Sequence, residues 1–265
     1  FGLKNLKALR WLLISFIWLV LLSSMAVTWS LLNLPETESI QISRQPSITF
    51  LDKDGRIIAS YGDIYGKSIK YNKLPQNLIN AVIVTEDKRF FNHYGVDLKG
   101  VLRATYVNLK ERRIVQGGST ITQQLAKNLF LTPERSFTRK LHELILSLWL
   151  EIRFSKEQIL SIYLNRVYLG SGTYGVQAAS EKYFNKKVEN LNLYECAVIA
   201  SLLKAPSRYN PIANKKLSKE RASLVLENMI RSKMISRGNV NKAKYNNQKY
   251  TKFTAAQKST RYFID

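Results

Sequence analysis

A carboxylate on an otherwise apolar helix face is the first feature of this sequence with chemical potential. Leu78, Ile79, Val82 and Ile83 recur at helical spacing, and Glu86 follows Val82 by four residues and Ile79 by seven, so it shares their face. An unpaired carboxylate in such a place costs several kcal/mol or keeps its proton to higher pH, which is the property a general base or acid exploits. If the helix ends before it, Glu86 is an ordinary solvated glutamate, and the spacing leaves both readings open. The segment that follows, Glu86-Asp87-Lys88-Arg89-Phe90-Phe91-Asn92-His93-Tyr94-Gly95, crowds acids, bases and aromatics around a turn at Gly95. A solitary His93 in such a stretch reads as a capping or packing histidine.

Two later segments have the chemistry to handle an anion. Gln116-Gly117-Gly118-Ser119-Thr120 is a flexible hinge ending in a hydroxyl N-cap, and the helix it opens carries Thr120, Gln123 or Gln124, and Lys127 on one face. Glycines, hydroxyls and a helix N-terminus can cradle an anion, although a plainly capped helix has the same pattern. No Gly-Lys-Ser/Thr closes the loop, which excludes a P-loop nucleotide site there. Farther on, Arg139, Lys140 and Glu143 place two cations and a carboxylate on one side of a helix, just before the uncharged run Leu144 to Leu150. Glu143 is either at the mouth of a buried segment, where charge must be paired, or part of a surface ion pair. Gly170, Gly172 and Gly175 spell G-x-G-x-x-G, but a helical pattern precedes them and no βαβ unit surrounds them, so a dinucleotide fold is rejected.

The elements that must position these residues are mostly helical. Residues 47–61, with Asp54-Gly55 as a turn, read as a hairpin. Pro75 opens a helix, and further helices are expected over 120–131, 134–154, 156–166, 193–203 and 217–232. The fold class is mainly α. The 22 residues 11–32 contain no charge and as a helix span about 33 Å, enough for a bilayer core. Lys4, Lys7 and Arg10 precede them and Glu36 and Glu38 follow, so the positive-inside rule predicts a cytoplasmic N-terminus and a domain on the outer side. The expected organisation is a cytoplasmic tail at 1–10, a transmembrane anchor at 11–32, a β-like connecting segment at 33–74, the main domain at 75–238 and a linker at 239–265.

With 265 residues, 45% of them hydrophobic, the chain can bury a substantial core. Its 41 Lys+Arg against 19 Asp+Glu give a net charge of +22 and call for an anionic partner, such as nucleic acid, anionic lipid or a phosphorylated substrate. A single cysteine, Cys196, excludes an internal disulfide framework and any multi-cysteine metal site.

Together these segments resemble the family 51 peptidoglycan glycosyltransferases, the domain shared by class A penicillin-binding proteins and monofunctional transglycosylases. Glu86-Asp87 with Phe90, His93 and Gly95 is similar to the family's first motif, and Gly118-Ser119-Thr120-Ile121-Thr122-Gln123-Gln124 to its second. Arg139-Lys140 with Glu143 resembles the third, Lys156 with Ile159-Leu160 and Tyr163-Leu164-Asn165 the fourth, and Arg221 with Val225-Leu226 the fifth. The resemblance implies a lysozyme-like, two-lobed domain with its cleft beside the bacterial cytoplasmic (inner) membrane, facing the outer or periplasmic side. It implies polymerisation of lipid II into β-1,4 glycan strands by inverting displacement of undecaprenyl pyrophosphate.

On that reading Glu86 is the catalytic base and Glu143 a second catalytic carboxylate. Arg103, Ser119, Thr120, Gln123, Gln124, Lys127, Arg135, Arg139 and Lys140 bind substrate. Glu143 either holds these cations or binds a divalent cation such as Mg2+, with no organic cofactor. The implied partners are lipid II, the growing strand, the membrane and a cell-wall synthesis complex, but no nucleic acid. Two rival functions fit the residues: a lysozyme-like lytic enzyme that cleaves glycan, and a nonenzymatic basic membrane-anchored binding protein. Arg261 to Asp265 resembles the start of the transpeptidase domain in class A proteins and implies a bifunctional parent.

Overall fold

A computed structural model describes residues 2–32, 48–51, 57–61, 64–113, 115–131 and 136–240. The chain is mainly helical, as expected. Helix α1 (Gly2–Leu32) is followed by the antiparallel strands β1 (Ile48–Leu51) and β2 (Ile57–Tyr61), paired from Ile48↔Tyr61. These are the expected hairpin, and its Asp54-Gly55 turn lies outside the described residues. Next come β3 (Ile64–Tyr65), α2 (Gln76–Glu86), α3 (Leu98–Lys110), α4 (Ile121–Phe130), α5 (Phe137–Arg153) and α6 (Lys156–Arg166). Strand β4 (Thr173–Tyr174), which pairs in parallel with β3, precedes α7 (Val176–Phe184), α8 (Leu193–Leu202) and α9 (Lys215–Arg231).

Local chemistry accounts for most helix starts. Thr120, Ser155 and Asn192 each form a capping box with the glutamine or glutamate three residues on, and Ser136 and Asp97 cap α5 and α3 through a side-chain oxygen. Helices α3 and α7 were not singled out by periodicity. The α3 helix has only Gly100 and Ala104 fully buried, so it lacks the apolar stripe that marks a core helix, and α7 begins after a glycine with φ +84°.

The core is organised around α8, in which every residue from Tyr194 to Leu202 is buried. Helices α2 and α9 pack on it and on each other, while α4 packs against α5 and α6. This arrangement sets the C-terminal end of α2 between two helical groups. Gly170, Gly172 and Gly175 all adopt positive φ in the turns flanking two-residue β4, so the G-x-G-x-x-G spells turn geometry and no nucleotide fold.

The α1 helix runs 31 residues, and its side chains are described without a break over residues 10–22. Among the described residues no helix is long and apolar enough to cross a membrane. Where described, the α1 apolar side chains are uncovered, Trp11 being 70% and Trp18 61% exposed.

Candidate active site

Glu86 is the last residue of α2, whose buried residues Leu78, Ile79, Val82 and Ile83 bring it to the edge of the core. Both sequence readings are thus partly met: the helix does end there, yet the carboxylate is half-buried rather than free in solvent. Its Oε2 accepts a hydrogen bond from Gln124 Nε2 at 2.8 Å, and Gln124 Oε1 in turn accepts from the Tyr163 hydroxyl at 2.9 Å. Loss of solvation raises the Glu86 pKa above the ordinary carboxylate range, against the opposing pull of the Gln124 hydrogen bond and of Arg221 and Lys204.

The neighbouring Asp87 has a different task. Its buried carboxylate accepts from His93 Nε2 at 2.9 Å and from the Ile121 backbone N–H at 3.1 Å, so it ties the end of α2 to the start of α4. His93, edge-on to Phe90, is the packing histidine expected of it. Gly95 is pinned beside α5: its φ is +71°, and an added Cβ would lie 2.8 Å from the Ser147 carbonyl oxygen.

Thr120 lines the cleft beside Ser119, whereas Gln123 is not among the residues that line it. Thr120 is 1% and Gln123 2% exposed, and the Thr120 hydroxyl and Gln123 Oε1 are engaged in the capping box, with Thr120 also donating to the Gly95 carbonyl at 2.6 Å. The reason is geometric, because reciprocal capping turns both side chains back onto the backbone of the first turn. Gln124, one residue on, is the glutamine that faces the carboxylate. The neighbouring Thr122 instead donates to Glu151, which also receives Lys156 at 2.7 Å, a structural network behind α4.

On α5, Glu143 is buried and accepts from Arg139 Nη1 at 3.2 Å and from Lys140 Nζ, while Lys140 also reaches Ser119 Oγ at 3.2 Å. Glu143 is therefore at the buried mouth of its helix. The run that follows is not wholly covered, since Leu148 is 45% exposed: the helix is amphipathic, with one side toward α4 and one side outward. Both Glu143 oxygens are already taken by cations, and no group of three His, Cys, Asp or Glu side chains is clustered among the described residues. A divalent cation there would have to displace Arg139 and Lys140 from the one carboxylate they share among the described residues.

These residues converge on a cleft of about 540 Å³. Glu86 and Gln124 lie within it, with Ser119, Gly117, Gly118, Lys127, Arg139, Lys140 and Glu143 on one wall and Arg103 from α3 beside them. Arg135 lies outside the described residues. Lys204 and Arg221 complete the other wall. Lys204 has no signal in the sequence, being a lone lysine after an apolar helix, and Arg221 is marked there only by its resemblance to the fifth motif. Its guanidinium sits 5.7 Å from the Tyr209 ring centroid. Asn108 was also missed: it bonds Gln116 O, Val115 N and Gln116 N at 2.8–2.9 Å and thereby shapes the glycine loop.

The arrangement joins a desolvated carboxylate to a flanking bank of cations in one cleft, which suits removal of a proton beside the departure of an anion. Ser201-Leu202-Leu203-Lys204 spells the Ser-x-x-Lys of β-lactam-binding serine enzymes, but Ser201 is fully buried and donates to the Val198 carbonyl at 2.6 Å within α8.

Comparison with known proteins gives a match to the family model described as Transglycosylase over residues 54–230. Penicillin-binding protein 1A of Pseudomonas aeruginosa is 42% identical over 86% of this chain and 28% of its own length. The protein of that name in Aquifex aeolicus is 44% identical over 75% of this chain and 27% of its own, and that of Neisseria gonorrhoeae 45% identical over 77% and 26%. The chain thus spans 26–28% of the length of these curated relatives. Among solved structures, penicillin-binding protein 1A of Haemophilus influenzae aligns over 80% of this chain and 22% of its own, with 26% identity and a TM-score of 0.48.

Proposed function

Because the chain belongs to the transglycosylase family, we propose that it is a peptidoglycan glycosyltransferase acting on lipid II, with Glu86 as the general base. The observation that carries the reading is a partly desolvated carboxylate in the same cleft as Lys127, Arg139 and Lys140. Glu86 takes the proton of the attacking sugar hydroxyl as its oxygen bonds to the anomeric carbon. The bond from that carbon to the pyrophosphate oxygen breaks on the opposite face, and its electron pair leaves with the pyrophosphate. Inversion at the anomeric carbon follows from this in-line course.

The leaving group gathers negative charge, which Lys127, Arg139 and Lys140 neutralise through charge-assisted hydrogen bonds, with Arg103 and Ser119 at the margin. Glu143 acts through Arg139 and Lys140 by holding them in place. A lytic enzyme cleaving a neutral glycan has no use for such a bank of cations, which favours the synthetic direction.

The lipid substrate fits a membrane location. Residues 11–32 carry no charge, three basic residues precede them, and α1 meets α5. On α3, next to the cleft, Leu98, Leu102, Tyr106 and Leu109 are each more than two-thirds exposed along one helical side. We read α1 as an anchor in the bacterial cytoplasmic membrane, the lysozyme-like domain lying on its outer face with α3 toward the lipid.

The test is polymerisation of labelled lipid II by the purified protein and by Glu86→Gln. Formation of polymer by the first and none by a folded second supports the proposal. Polymer from Glu86→Gln at the parent rate, or breakdown of preformed glycan in place of synthesis, refutes it.

A further inference from the structure

The Tyr163 hydroxyl lies two hydrogen bonds from the base, at a place where substrate does not reach. Tyr163 is 1% exposed on α6, inside the core, and its hydroxyl contacts Gln124 Oε1 at 2.9 Å while Gln124 Nε2 contacts Glu86 Oε2 at 2.8 Å. Resting on the reading of Glu86 as the base, we propose that Tyr163 is a positioning residue. By donating to Gln124 Oε1, its hydroxyl locks the amide with its NH2 toward Glu86 and keeps that carboxylate in its proton-accepting form.

The argument is one of donor count. An amide between two oxygens has two orientations. In the observed one the phenol donates to the amide oxygen and the amide NH2 donates one hydrogen to an ionised Glu86, so the phenolic hydrogen and the amide hydrogen facing Glu86 each have an acceptor. In the flipped one the amide oxygen faces Glu86 and must accept a proton from it, so Glu86 is protonated and useless as a base. The NH2 then points at the phenol oxygen, and the phenolic hydrogen is left in the core with no acceptor. Leaving a buried donor unpaired is the costlier outcome, so the hydroxyl biases the amide, and through it Glu86, toward the ionised form. The Tyr163 phenol is held well above the ordinary tyrosine range by burial, so it remains a donor across the working pH.

The other charged groups around Glu86 act independently of this chain. They are Asp87 and Lys88 beside it, Asp97 ahead of α3 and Arg103 on it, Lys204 after α8, Arg221 on α9, Lys127 on α4, and Arg139, Lys140 and Glu143 across the cleft. All of them persist when only the phenolic oxygen is removed. Tyr163→Phe is therefore a clean perturbation: it deletes the lock, leaves the ring in the core and touches no substrate.

The experiment is a pH profile of kcat/KM for labelled lipid II with the full chain, for parent and Tyr163→Phe, with thermal melts to establish folding. The acidic limb of Tyr163→Phe should move to higher pH, so that its rate falls about 3- to 10-fold below the parent on that limb while the alkaline plateau and KM stay within about twofold. A merely structural role lowers the rate equally at every pH, and a profile of that shape overturns the proposal. If Tyr163→Phe does not fold, Gln124→Met removes the middle link, and an acidic limb left in place by it overturns the proposal equally. Glu86→Gln separates the two layers. An inactive Glu86→Gln with an unshifted Tyr163→Phe limb refutes the lock alone, whereas an active Glu86→Gln refutes the base and the lock with it.

Discussion

Replacing Glu143 with glutamine isolates what this buried carboxylate does. Its side chain is 5% exposed and is the shared partner of Arg139, 20% exposed, and Lys140, 41% exposed. Removing one member of a buried ion pair typically costs about 3–5 kcal/mol, because the charge left behind is neither solvated nor paired. Lys140 can turn its ammonium to water, so most of the penalty falls on Arg139 and the expected loss is about 2–3 kcal/mol. For a chain of this size that corresponds to a fall in melting temperature of about 4–10 °C. With the two cations no longer fixed, the leaving group meets a misplaced clamp, and turnover should fall by about 10²-fold. Circular-dichroism melts beside lipid II polymerisation at several donor concentrations measure both effects. A Glu143→Gln protein that melts within about 1 °C of the parent and uses donor normally would refute the reasoning. A loss of activity at unchanged stability would make Glu143 a direct participant in proton transfer instead.

Glu86 should behave in the opposite way. Its pKa is raised in the folded chain, so its contribution to stability is present at low pH and lost as pH rises through the folded value. The melting temperature of Glu86→Gln minus that of the parent should therefore grow from acid to neutral pH while polymerisation falls about 10²- to 10⁴-fold, and a difference that shrinks with pH contradicts the burial argument. Lys140→Ala removes one charge-assisted contact to the leaving group and should reduce kcat/KM for lipid II by about 10- to 100-fold, with a fall in melting temperature because buried Glu143 keeps only Arg139 as a partner; unchanged kinetics would assign Lys140 to the solvated surface. Gly95→Ala should destabilise the chain by at least about 1–2 kcal/mol, since it combines left-handed backbone with a clash against the Ser147 carbonyl, and a melt that matches the parent would mean the α5 contact yields freely.

The helices, their caps and the positions at which a charge meets an apolar face were legible in the sequence because they are local. Thr120 with Gln123 spells a capping box, and the spacing from Ile79 through Val82 to Glu86 follows from the pitch of one helix, whatever it packs against. The pairing of Arg139 and Lys140 with Glu143 was legible for the same reason, since all three lie within one turn or so of α5. Sequence could not say which of two adjacent glutamines faces the base, because the roles of Gln123 and Gln124 diverge only once α4 is seated against α2 and α6. The contacts from Glu86 to Gln124 and from Gln124 to Tyr163 span 38 and 39 positions of chain. Lys204 and Arg221 reach the cleft only because α8 and α9 pack against α2. Contacts of that range depend on how the helices pack together, and no residue's own neighbours along the chain record that packing.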